Sequence, residues 1–150
     1  MTNWRLTVTA CMLVLLAMAC VHCAWAEAIG QIKTLAGEAY IVRRNMKSPA
    51  AAGDLVEKAD MLMTGADGSI GITFIDNSRL SVGPNSHIAL EKFGFNPTTH
   101  EGEFLTKIER GTLAVISGHI ARNSPDAMKV KTRTTILGVR GTKFLVQVEE

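Results

Sequence analysis

Along most of this chain apolar residues recur at every second position in short runs, and a turn signal breaks each run after roughly 8–12 residues. A period of two puts alternate side chains on opposite faces, which is the geometry of a half-buried strand. Ile70, Ile72 and Phe74 fall on one face of such a run, with Ser69, Gly71 and Thr73 on the other. Leu80 with Val82, and Ile88 with Leu90, continue the pattern. So do Phe104, Thr106 and Ile108, then Leu113 and Val115, then Met128, Val130 and Thr132. The last run, Lys143 to Val148, places Phe144, Val146 and Val148 on one face. No stretch carries a sustained helical stripe.

The breakers have their own chemistry. Residues 65–68 (Gly-Ala-Asp-Gly) and Asp76-Asn77-Ser78 read as tight turns, because glycine and asparagine tolerate positive φ and aspartate caps its own backbone. Gly83 to Ser86 breaks the chain again, and Arg110-Gly111 reads as a turn. Residues 47–54, 93–103 and 123–126 read as loops. The pattern predicts about eight to ten short strands in one all-β domain over residues 27–150. A β-solenoid-like stack and a two-sheet sandwich or roll both fit, with strands close in sequence pairing in order.

The first 26 residues read differently. Met1 to Arg5 is a short basic start, Leu6 to Cys23 is apolar, and Ala24-Trp25-Ala26 supplies small residues at −3 and −1. This is the layout of a helical secretory signal peptide cleaved between Ala26 and Glu27, which predicts a periplasmic protein. A retained membrane anchor and a lipoprotein on Cys20 are the alternatives. In the first reading the membrane is met only through the leader. All three cysteines, Cys11, Cys20 and Cys23, lie in the leader. The remaining chain therefore has no thiol for a disulfide, a metal site or a nucleophile.

Charge excludes more. Without Arg5 the 16 basic residues become 15, against 14 acidic ones. Such balance leaves no electrostatic footprint for nucleic acid.

Four segments in order are similar to the FecR domain. They are 37–41 (Gly-Glu-Ala-Tyr-Ile), 59–68 around Asp60, Thr64 and Gly68, 74–86 around Asp76, Ser78 and Pro84, and 139–144 with Arg140, Gly141, Thr142 and Phe144. Asn77 stands where the family usually has glycine, and Arg133 where proline is common. The resemblance implies an all-β envelope module. Membrane regulators of the family carry an anti-sigma segment before the domain and a receptor-contacting part after it. Five residues precede the apolar run and none follows Glu150, so neither part is expected here.

Candidate chemistry is sparse. His87, His100 and His119 are not at metal-ligand spacings. Asp60, Asp67 and Asp76 read as turn caps, since no window has calcium-loop spacing. Arg140 reads as a staple, its five donors bonding carbonyls or a carboxylate. Lys129, Lys131 and Arg133 form a basic row on one strand face, a candidate partner-binding surface or, on an edge strand, a guard against aggregation. No catalytic residue, metal ligand or cofactor is expected. The sequence thus predicts a non-catalytic interaction or signalling module whose partner is an envelope protein. Binding of an envelope polymer, peptidoglycan or polysaccharide, through the basic row is the alternative.

Overall fold

The computed structural model describes residues 27–124, 126–140 and 143–149. The expected signal peptide with its expected cleavage after Ala26, and the motif residues Gly141 and Thr142, lie outside the described residues. Among the described residues, twelve strands and one short helix follow in order. They are β1 (Ala28–Ala36), β2 (Ala39–Arg43), β3 (Met46–Pro49), β4 (Leu55–Glu57), β5 (Met61–Thr64), β6 (Ser69–Phe74), β7 (Arg79–Val82), β8 (His87–Phe95), β9 (Gly102–Ile116), α1 (His119–Asn123), β10 (Met128–Lys131), β11 (Ile136–Val139) and β12 (Lys143–Val148).

All twelve join one curled sheet, whose main path runs β3-β2-β5-β8-β9-β7-β6-β1-β4. β12 pairs with β9, and β10 lies between β9 and β11. Pairing is antiparallel except between β9 and β10. The fold is all-β, as the alternation requires. Neighbours in the sheet are often far apart in sequence, however: β1 pairs with β6, and β2 with β5.

Three sequence expectations fail for a physical reason. Arg110-Gly111 does not turn the chain back. Gly111 adopts φ +90° inside the 15-residue strand β9, and the strand bends there without ending. β9 therefore pairs with β8 and β10 along its first part, and with β7 and β12 along its last. The loop after Phe93 shrinks to residues 96–101, because Phe93 and Gly94 pair with Phe104 and Glu103. Residues 47–49, expected as loop, belong to β3 through pairing with β2.

The sheet curls around one core. Ile32, Val56, Leu62, Val82, Ile88, Leu90, Ile108, Leu113 and Val115 have no exposed surface. Each such side chain stabilises the fold by roughly 1.5–3 kcal/mol relative to exposure. Phe74, Phe93 and Phe104 meet at the centre, with ring centroids 4.7–5.6 Å apart. α1 contributes Ile120 and Ala121 to the same core.

Candidate functional site

Most polar residues singled out by the motifs are buried inside turns. Asp60 is fully buried at the start of β5. Its carboxylate accepts from Nε and Nη2 of Arg43 at 2.8 Å each, and from the Glu57 N–H at 2.8 Å. Arg43 also meets the Glu57 carboxylate at 2.7 Å and donates to the Leu55 carbonyl at 2.9 Å. The hydrogen bond to Asp60 is the main cause raising the Arg43 pKa, and burial opposes it. Asp60 is therefore more than a turn cap, since it locks β2 to the β4–β5 connection.

Thr64 Oγ donates to the Gly83 carbonyl at 2.7 Å and accepts from the Ser86 N–H at 2.9 Å. Ser86 Oγ in turn donates to the Pro84 carbonyl at 3.0 Å and accepts from the Thr112 N–H at 2.9 Å. A side chain on Gly68 would meet the Glu38 carbonyl at 2.0 Å, so only glycine fits there. Asp76 accepts from Ser78 N–H and Oγ at 3.0 and 2.6 Å. Ser78 Oγ accepts from the Gly118 N–H at 2.9 Å, which fastens the start of α1. Asp60, Asp67 and Asp76 share no hydrogen-bond partner, and these bonds serve turns and strand junctions.

Other expectations need correction. Arg140 does not staple the fold. Its side chain is 75% exposed, and among the described residues it meets only Asp126, at 3.9 Å. Phe144 packs half-buried against the core. Lys129 and Lys131 sit on β10, but Arg133 lies beyond the strand in a bend. β10 is no edge, because β11 covers it.

The fold brings together two histidines that sequence spacing keeps apart. His100 and His119 stack with ring centroids 4.6 Å apart, and Phe95 lies 6.2 Å from each. His119 Nε2 is 3.0 Å from Asn77 Nδ2, so the cluster joins the 96–101 loop, α1 and the 76–78 turn.

A groove on the outer face of the sheet is the arrangement most open to a ligand. Cross-strand pairing sets Thr34 beside Gly71, Gly71 beside Ser81, and Ser81 beside Ala114. Small residues on successive strands leave a trough of about 490 Å³. The next row runs Thr73, Arg79, Ile116 and Lys143. Lys33, Arg79 and Lys143 line the trough, and no aspartate or glutamate does. Arg79 and Lys143 have no carboxylate partner among the described residues, while Lys33 Nζ donates to Gln31 Oε1. The groove thus joins a floor of small and apolar residues to a cationic rim.

A larger hollow of about 760 Å³ lies around β2, β3 and β4, but its charges are engaged in the fold. Arg43 is held by Asp60 and Glu57, and Lys47 Nζ sits 3.8 Å from the centre of the Tyr40 ring. Sequence reading missed the outer groove because its rows cross strands distant in the chain. The one visible signal was the run of small residues Ser69, Gly71 and Thr73 on the outward face of β6.

Comparison with curated proteins and with solved structures gives no match. Comparison with family models matches the FecR protein family over residues 60–150. The match covers more than half of the chain and begins at the Asp60 that Arg43 holds. By that match the chain belongs to the FecR family, a family of non-enzymatic regulatory modules in envelope signalling.

Proposed function

We propose that the chain is a non-catalytic periplasmic interaction module that holds an acidic, extended segment of an envelope protein in its outer groove. The observation that carries this reading is the cationic rim of Lys33, Arg79 and Lys143 around a floor of Gly71, Ser81 and Ala114. An open trough floored by small residues suits an extended backbone, and cations at its rim attract carboxylates and raise the rate of encounter. Family membership supports a regulatory role over a catalytic one. No helix among the described residues is long and apolar enough to cross a membrane.

The test is a photo-crosslinking residue at Ser81 in living cells. A discrete adduct that disappears in the Lys33→Glu/Arg79→Glu variant supports the reading. No adduct, or one indifferent to those reversals, removes it.

One observation favours polymer binding as a second reading. Lys131 stands opposite Lys107 across β10 and β9, with Lys129 exposed on the same strand. Glu109 already pairs with Lys107 at 2.7 Å, which leaves Lys129 and Lys131 as the cations an anionic polymer would meet. Binding to isolated sacculi should then weaken when Lys129, Lys131 and Arg133 are neutralised and when salt rises.

A further inference from the structure

An exposed strand edge presents unpaired N–H and C=O groups, and proteins normally protect such edges. Four strands end the sheet among the described residues: β3, β4, β11 and β12. Three of them are blunted. β3 ends in Pro49, which has no N–H to offer, and carries Lys47. β4 has three residues. β11 has four, including Gly138, which lies against the Asp126 side chain.

β12 is less protected, since its one lysine, Lys143, stands at its first residue and not within the run. It runs for six residues without proline or glycine, and Leu145 at its middle is 63% exposed. Its inward residues Phe144, Val146 and Val148 pack on the core at the very edge of the sheet.

The geometry points to a second copy of this chain as the occupant of the β12 edge, paired antiparallel about a two-fold axis at Val146. Residues opposite each other in a sheet must face the same side, so only registers that match the inward and outward sets are open. With the axis at Val146, Phe144 stands opposite Val148 on the inner side. On the outer side Leu145 stands opposite Gln147, and Lys143 opposite Glu149. The two-fold repeats that ion pair at both ends of the seam. With the axis at Leu145 instead, Lys143 faces Gln147, so Lys143 and Glu149 no longer pair. Charge complementarity therefore selects both the partner and the register.

The axis is normal to the sheet, so the outer faces of both copies lie on the same side. The two grooves then run side by side across the seam. Lys143 is shared with the groove rim, so in the dimer Glu149 of the second copy engages it and Lys33 and Arg79 remain for the groove; sedimentation reads the seam with no groove ligand present.

The experiment is sedimentation velocity of the purified chain across the micromolar range. The expected result is a monomer–dimer equilibrium. Lys143→Glu alone and Glu149→Lys alone should each weaken it about tenfold, since each sets like charges opposite at both ends. The double variant Lys143→Glu/Glu149→Lys should return within about threefold of the parent, since the pairs are rebuilt in reverse. Leu145→Lys, an outward substitution that leaves the core untouched, should abolish the dimer. A monomer throughout the range overturns the inference. So does a dimer that the single reversals leave unchanged, or a double variant no tighter than the singles.

Discussion

Arg43 and Asp60 face each other with two parallel hydrogen bonds of 2.8 Å, one partner a third exposed and the other wholly buried. The pair joins β2 to the start of β5, and Glu57 completes it from β4. A planar fork suits this two-toothed contact in a way that an ammonium does not. Arg43→Ala leaves a buried carboxylate short of its partner and should cost about 3 kcal/mol, the lower end for a broken buried pair because Arg43 is partly solvated. Arg43→Lys should cost about half as much. Thermal unfolding measures both, with a fall of about 10 °C expected for the alanine variant.

Gly111 and Gly53 both have positive φ, +90° and +98°, yet should respond differently to alanine. A Cβ at Gly111 would lie 2.1 Å from Ser86 Oγ, inside the bond network that holds Thr112 to the 83–86 turn. At Gly53 it would meet nothing within 4 Å. Gly53→Ala should cost only the backbone term, about 1 kcal/mol. Gly111→Ala adds displacement of Ser86 and should cost about 3 kcal/mol or more. Urea unfolding of the two variants checks the difference.

Thr106 points into the core, 1% exposed, with no hydrogen-bond partner for its hydroxyl among the described residues. Replacing that hydroxyl by a methyl of similar size removes an uncompensated desolvation cost. Thr106→Val should raise stability by about 1 kcal/mol, read from the urea midpoint at unchanged slope.

Lys107 and Glu109 form a 2.7 Å ion pair on the outer face of β9. The bond from Lys107 is the main cause lowering the Glu109 pKa, and the same bond raises that of Lys107. A lowered carboxylate pKa gives stability that is present above the unfolded-state value and is lost as pH falls through the folded one. A raised lysine pKa gives stability that is present below its unfolded-state value and is lost as pH rises through the folded one. The pair therefore acts between the ordinary glutamate and lysine ranges, about 4.3 to 10.4. Glu109→Gln should lower stability slightly at pH 7, and parent and variant should converge at acid pH once Glu109 is protonated.

Strands whose faces differ sharply in polarity were legible from sequence. β7 and β12 fall at the positions that alternation predicts, and β6 departs only at its end, where Asp76 turns the chain. β9 was not legible as one strand, because a glycine that bends a strand looks in sequence like one that ends it. The Arg43–Asp60 pair was half legible: Asp60 stood out beside its turn, but the cation 17 residues earlier is fixed only by the β2–β5 register. The outer groove depends on register throughout. Thr34, Gly71, Ser81 and Ala114 become neighbours only because β1 pairs with β6 and β7 with β9, past the strands that lie between them in the chain.

The central claim is a division of labour: buried polar residues hold the turns, and the cations around the outer groove are left to meet a partner. Adduct yield from Ser81 in the Lys33→Glu/Arg79→Glu chain, set beside its thermal midpoint, tests that division most directly. The account predicts an unchanged midpoint with the adduct lost. A lowered midpoint, or an adduct that persists at the parent's yield, would contradict it.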